Sequence, residues 1–247
     1  MSRPARLVLF LVAAAGVAAL LVVAFLDLPP FGSPFHPYRD RAVAAAVAHA
    51  TANVVGSVTF DQRGLDTLVE ETILLGSVAG AAALLRPSKE ERENTTVPEG
   101  GRVLEATKLT GYLLLPVTLL VGIDVVVHGH LTPGGGFQGG VLLGTAVHLL
   151  YLTGHYRALD RVRPLPVFDS GEALGAAAFA ALGIAGIIAA GAFLGNILPF
   201  GTFGELLSAG TVPVFNIAVG VEVASGVIVL LAKFLEQALR VQREAVS

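Results

Sequence analysis

His130-Leu131-Thr132-Pro133-Gly134-Gly135-Gly136-Phe137-Gln138-Gly139-Gly140 lies between two apolar runs, each long enough to cross a bilayer. Five of these eleven residues are glycine, and Pro133 restricts the chain further. Such a run lets backbone approach backbone, or turns the chain sharply back into the membrane. The plainer alternative is a tight hairpin followed by a closely packed helix. The Gly-Lys-Ser/Thr ending of a phosphate-binding loop is missing, so the glycines do not signal nucleotide.

Outward from this stretch the chain is strongly apolar. It is 54% hydrophobic and 14% charged with a mean hydropathy of +0.73, where a soluble domain carries about a quarter charged residues. Six runs are expected to span: Leu7–Leu26, Leu65–Leu85, Leu109–Val127, Gly135–Gly154, Leu174–Leu194 and Val212–Leu231. At about 1.5 Å per residue each reaches roughly 30 Å, the hydrocarbon thickness. Their Leu, Ile, Val and Ala content without period-2 alternation makes them helices and excludes a membrane barrel. The expected fold is an all-α polytopic membrane protein. Cysteine is absent, which removes disulfides and thiolate metal sites.

Lys and Arg set the expected orientation. Arg3, Arg6, Arg86, Lys89, Arg92, Arg102, Lys108, Arg157, Arg161, Arg163, Lys233, Arg240 and Arg243 fall on one side, and only Arg39, Arg41 and Arg63 on the other. Both termini are therefore expected in the cytoplasm. The first run is too long for a signal peptide, and Asp27-Leu28-Pro29-Pro30 offers no small-residue cleavage site, so it reads as an uncleaved anchor. The polar, proline-punctuated segment from Arg86 to Arg102 reads as a cytoplasmic linker. No internal repeat is apparent, so the inverted-repeat plan of a self-sufficient transporter gains no support.

The glycine-rich stretch, with Pro133, Gly134, Gly135, Gly136, Phe137, Gly139 and Gly140, resembles the signature of the MnhB family, one of the subunits of the multisubunit Mrp-type Na⁺/H⁺ antiporters. The resemblance runs from about Arg102 to the C-terminus and includes Val212-Pro213-Val214-Phe215-Asn216-Ile217-Ala218-Val219-Gly220-Val221-Glu222. A second resemblance covers about residues 7–86. There Phe60-Asp61-Gln62-Arg63-Gly64-Leu65-Asp66-Thr67-Leu68-Val69-Glu70 is similar to the C-terminal helices of the large A-type antiporter subunit. The chain thus looks like a fusion: a two-helix module over 1–86, a linker over 87–103 and a four-helix module over 104–247. Related membrane-bound hydrogenases keep these modules as separate small subunits.

Ionisable residues inside spans cost about 2.5–3.5 kcal/mol at the centre, so each should face protein or water. Glu222 lies midway along the last run, sharing a face with Ser225, Gly226, Val229 and Lys233. It is either a neutral glutamic acid donating one interhelical hydrogen bond or a proton-exchanging carboxylate. Glu70 and Glu71 sit near the outer end of the second run, about 100° apart around the helix. Asp66 shares the face of Glu70; two carboxylates there suit cation coordination or a shared proton, although Asp66 also suits simple stabilisation of a helix N-terminus. The resemblance to the large antiporter subunit favours Glu70 over Glu71. Asp124 and His128, four apart, are placed to pair, and Pro116 leaves the Tyr112 carbonyl without its helical donor. Lys108 can snorkel as an anchor. His148 shares a face with Gly144, Tyr151 and His155 and reads as a packing partner. The spacing of Gly171/Gly175 and of Gly191/Gly195 suits close helix packing.

The sequence shows no nucleophile–base pair, cofactor fingerprint or redox ligand set, so neither enzymatic chemistry, nor a cofactor, nor a metal is expected. The resemblance implies a non-catalytic subunit of a monovalent cation/proton antiporter in the cell membrane. Its expected partners are other integral membrane subunits, Na⁺ or another monovalent cation, H⁺ and lipid, with no nucleic acid. The alternatives are a membrane-arm subunit of an ion-pumping oxidoreductase such as a membrane-bound hydrogenase, and a scaffold that conducts nothing.

Overall fold

A computed structural model of the 247-residue chain describes residues 3–28, 32, 34–86, 103–153 and 164–244. Helices are α1 (Arg3–Leu26), α2 (Pro37–Ala48), the short α3 (Val54–Ser57) running into a π-helical turn (Val58–Gln62), α4 (Gly64–Leu84), α5 (Glu105–Val127), α6 (Gly136–Leu152), α7 (Leu165–Ala190) and α8 (Val212–Glu244). Among the described residues there is no strand, and the protein is a multi-pass, all-helical membrane protein. Most of the expected linker, together with Lys89, Arg92, Arg102, Gly154, His155, Arg157, Arg161 and Arg163, lies outside the described residues.

Among the described residues five helices, against the six expected, meet the length and apolarity needed to cross a membrane: α1, α4, α5, α7 and the Val212–Phe234 part of α8. The remaining run forms α6, a 17-residue helix of about 25 Å, at the lower limit for a span. Its start is set by Gly134 and Gly135, both with strongly positive φ, which helix geometry does not admit. Two further boundaries differ from expectation. Helix α7 begins at Leu165 rather than Leu174, with Pro166 in its first turn, where a missing N–H costs nothing. It ends at Ala190, capped by Gly191 in the left-handed conformation. Gly191 and Gly195 therefore lie beyond the helix and are not a helical packing pair. Pro116 sits inside α5 without ending it.

The chain divides into two compact units, residues 1–40 and 41–247. In the first, α1 buries none of its side chains. In the second, α8 is the hub: 67% of its apolar stretch is buried, against 17–22% for α4, α5 and α7. It packs against α6, α7 and α4, and α5 packs chiefly on α6. The core gathers Phe60, Phe179, Phe215, Leu194, Val212, Val219 and Val223. Phe60 and Phe215 stack at 6.1 Å and 2°, and Phe179 meets Phe215 at 4.7 Å. The segments quoted for the two resemblances thus face each other across one aromatic contact.

Candidate functional site

The glycine-rich stretch does both things its composition allowed. It turns the chain between α5 and α6, and it lays α6 directly on α8. A Cβ on Gly136 would stand 2.6 Å from Val219 Cβ, one on Gly140 2.8 Å from Val223 Cβ, and one on Gly144 2.9 Å from Val227. These glycines recur every four residues and form one stripe of α6. Gly135, the residue before the helix, has no side chain to cap it; Asn216 of α8 does so instead. Its Oδ1 accepts from the Gly136 N–H at 2.8 Å, and its Nδ2 donates to the Val212 carbonyl at 3.1 Å. From the other side Asn53 Nδ2 donates to the carbonyls of Gly129 and Thr132 at 2.7 and 2.9 Å, and its N–H donates to the His130 carbonyl. His130 is fully buried, with Nε2–H donating to the Leu206 carbonyl at 3.1 Å. Burial pulls its pKa below the usual 6.5.

Beneath this end, three helices bring carboxyl groups together. Glu71 of α4 is 1% exposed, Glu222 of α8 0% and Glu172 of α7 5%. The carboxyls of Glu71 and Glu222 approach closely enough to interact, and Glu172 lies within electrostatic range of Glu222. Among the described residues no donor other than the facing carboxyl reaches the oxygens of Glu71 or Glu222, and none reaches Oε1 of Glu172. Small residues make the approach possible. A Cβ on Gly175 would fall 2.6 Å from Glu222 Cβ, and one on Gly171 2.5 Å from Ser225 Oγ. Gly226 faces the Glu172 carboxyl, which a Cβ there would meet at 3.2 Å. On the expected face of Glu222, Ser225 therefore meets α7, and Gly226 meets Glu172 of α7 and Val78 of α4.

Two carboxylates facing each other in an apolar enclosure cannot both be ionised without a counter-charge; one shared proton, or one monovalent cation, removes the conflict. Among the described residues no three His, Cys, Asp or Glu groups converge as a metal-chelating set.

The other sequence candidates are placed elsewhere. Glu70 and Asp66 lie on the exposed side of α4, and Asp66 pairs with Arg63. The enclosed member of the adjacent pair is Glu71. Asp124 and His128 do pair, Oδ1 to Nδ1 at 2.9 Å, at the C-terminal end of α5. Lys108 pairs with Glu105 at 2.8 Å at the opposite end. His148 places Nδ1 2.7 Å from the Gly144 carbonyl of its own helix. None of these four is among the groups acting on the buried carboxyls. Glu172 is hidden from hydropathy, which starts the span only at Leu174; Pro166 is the signal that the helix starts earlier. Asn216 and Asn53 act through contacts distant in sequence, which no local pattern reports.

The family model described as a domain related to the MnhB subunit of Na⁺/H⁺ antiporter matches residues 106–229. An uncharacterized protein of Methanocaldococcus jannaschii is 34% identical over 199 residues, covering 70% of this chain and 73% of that protein. The probable A/B subunit of a K⁺/H⁺ antiporter from Rhizobium meliloti is 28% identical over 136 residues, 46% of this chain but 14% of that protein. Among solved structures, a chain of the membrane-bound sulfane sulfur reductase, an archaeal respiratory membrane complex, superposes with a TM-score of 0.69 at 29% identity, over 93% of this chain and 98% of that one. A chain of the Mrp complex from Dietzia sp. DQ12-45-1b superposes with a TM-score of 0.68 at 22% identity, over 94% of this chain and 26% of that one. The last likeness is one of fold.

Proposed function

This chain belongs to the family of domains related to the MnhB subunit of Na⁺/H⁺ antiporters, and on that basis we propose that its buried carboxyls Glu71, Glu222 and Glu172 form a proton-exchanging station within a multisubunit complex. The chain is a membrane subunit of a cation/proton antiporter-type complex. In the finer reading it carries no enzymatic step of its own. It works with other integral membrane subunits, and a monovalent cation and H⁺ are the transported species. It joins an N-terminal module like the end of the large antiporter subunit to an MnhB-like module.

The observation that carries this reading is the enclosure of Glu71 and Glu222, from two different helices, with only each other as partners among the described residues. A purely structural glutamic acid would pair with a group that does not itself exchange protons; here the partner is another carboxyl. A pair that shares one proton can release it when a cation or another proton approaches. The experiment is reconstitution in vesicles. The chain with its co-purifying subunits should show cation-driven pH change, and the isolated chain none. Antiport by the isolated chain would overturn the reading that it works only within a complex.

A second reading has its own observation. The sulfane sulfur reductase chain is matched over nearly its whole length, so a membrane arm coupled to a redox enzyme is the competing assembly. Purification through a tag on this chain separates them. Iron–sulfur or flavin subunits in the eluate favour the redox complex; large membrane subunits alone favour the antiporter.

A further inference from the structure

Helix α4 has two sides of different kinds. Thr67, Glu71 and Val78 are buried, and α4 packs against α8 and α7. The other side presents Asp66, Glu70, Ile73, Ser77, Gly80 and Leu84, which recur at three- and four-residue steps and are all exposed. Of the five spanning helices α4 is the least apolar, and only 17% of its apolar stretch is buried. Packing inside this chain therefore does not account for its polar side.

Glu70 is the group on this side that lipid does not accommodate. Helix α4 has 21 residues, roughly the length that crosses the hydrocarbon, so all of it is needed for the span. Glu70 follows Gly64 by six residues and lies about 9 Å along the helix. Lys and Arg have long stems that carry a charge back to the surface; glutamate has not. Asp66, one turn nearer the helix start, pairs with Arg63. The Ser77 hydroxyl donates to the Ile73 carbonyl of its own helix at 2.7 Å. Glu70, among the described residues, has no hydrogen bond or ion pair.

That charge selects what covers the face. A second copy of this chain, related by a two-fold axis across the membrane, would set Glu70 against Glu70. Helix α1 has its cations, Arg3 and Arg6, at its start and is followed by Asp27 at its other end. It brings no positive charge to the side of the membrane where α4 begins. A helix from another subunit with a cation at this depth satisfies Glu70. Gly80, where a Cβ would meet nothing within 4 Å, leaves the backbone of α4 open to its close approach.

We propose that the side of α4 bearing Glu70, Ile73, Ser77 and Gly80 docks a membrane helix of another subunit, and that this helix pairs a lysine or arginine with Glu70. The inference rests on the chain working inside a multisubunit complex; it does not require the buried carboxyls to exchange protons. Glu70 lies within electrostatic range of Glu71, so the docked cation offsets a negative charge that otherwise bears on the carboxyl pair.

The test uses the complex purified through a tag on this chain. Photoreactive benzoylphenylalanine in place of Ile73 or Ser77 should, on irradiation in the membrane, join this chain to one other subunit. The adduct should map to a spanning segment that contains Lys or Arg. Glu70→Lys should lower recovery of that subunit about tenfold or more, with the chain itself still in the membrane fraction. Exchanging the partner's basic residue for glutamate should then restore recovery. Glu70→Gln, which inserts more readily than lysine, should lower recovery in the same sense. Adducts only to lipid, to α1 or to a second copy, undiminished recovery in both Glu70 variants, or no restoration by the exchanged charge would each overturn the proposal. If the parental chain brings down no other subunit, the complex reading fails and the docking face with it. If it does bring subunits down but the adducts are lipid, the docking face alone fails. Transport is not read here, so a failed carboxyl station leaves these outcomes unchanged.

Discussion

Asn216 Oδ1 and the Gly136 N–H, eighty residues apart in sequence, meet at 2.8 Å. Asn216 is fully buried, in a cradle where a Cβ on Gly129 or Gly135 would come within 2.6–2.8 Å of its carbonyl oxygen. One helix thereby caps the next, and the glycines around the cap exist to let the amide in.

Removing that amide should loosen the α6–α8 contact. Asn216→Ala strands the Gly136 donor in a buried site, which costs about 1–3 kcal/mol. Gly136→Ala should be worse, because its Cβ would meet the Asn216 backbone oxygen at 2.5 Å. Gly76→Ala is the control: a Cβ there meets nothing within 4 Å, and alanine favours the helix by about 0.5–1 kcal/mol. Thermal unfolding of the detergent-solubilised complex should place Gly76→Ala highest, Asn216→Ala below it and Gly136→Ala lowest. Equal melting temperatures for Gly136→Ala and Gly76→Ala would contradict the packing.

The buried carboxyls make a transport prediction. Glutamine keeps volume and hydrogen-bonding ability but cannot exchange a proton. Glu71→Gln and Glu222→Gln should both assemble and both lose most antiport. Because the two share one proton, the double variant should be no worse than the poorer single one. Glu70→Gln is the informative comparison, since the resemblance to the large antiporter subunit favours Glu70 while burial favours Glu71. Parental transport in all three would leave the chain a scaffold.

His130 should make stability pH-dependent. Its Nε2–H is committed to the Leu206 carbonyl, and among the described residues its buried Nδ1 has no hydrogen-bond partner. With the folded pKa below 6.5, the unfolded chain binds the extra proton first as pH falls. Stability is therefore fully present above about pH 6.5 and declines as acid is added, down to the folded pKa. Melting temperature against pH should slope in that window, and His130→Gln should flatten the slope. An unchanged slope in the variant would assign the dependence to another group.

Topology is tested independently of transport. The division of basic residues predicts a cytoplasmic C-terminus and a cytoplasmic segment between Arg86 and Arg102. Reporter fusions at both points should agree, and a periplasmic signal from either would overturn the orientation.

Whatever depends on local composition was legible in the chain before any folding was considered. Long Leu/Val/Ala runs can satisfy their backbone in lipid only as helices, so an all-helical membrane protein followed from the runs alone. The glycine stretch announced close backbone approach, and the four-residue spacing of Asp124 and His128 announced their pairing, because both are properties of one short segment. Which acids are enclosed was settled only by packing. Glu70 and Glu71 are adjacent and chemically identical; the packing of α8 against one side of α4 buries Glu71 and leaves Glu70 out. The partner Glu172 depends on where α7 starts, which a capping proline sets and hydropathy obscures. Asn216 reaching Gly136, and Gly140 lying against Val223, are contacts between helices that no sequence period connects. Their existence follows from helix–helix geometry alone.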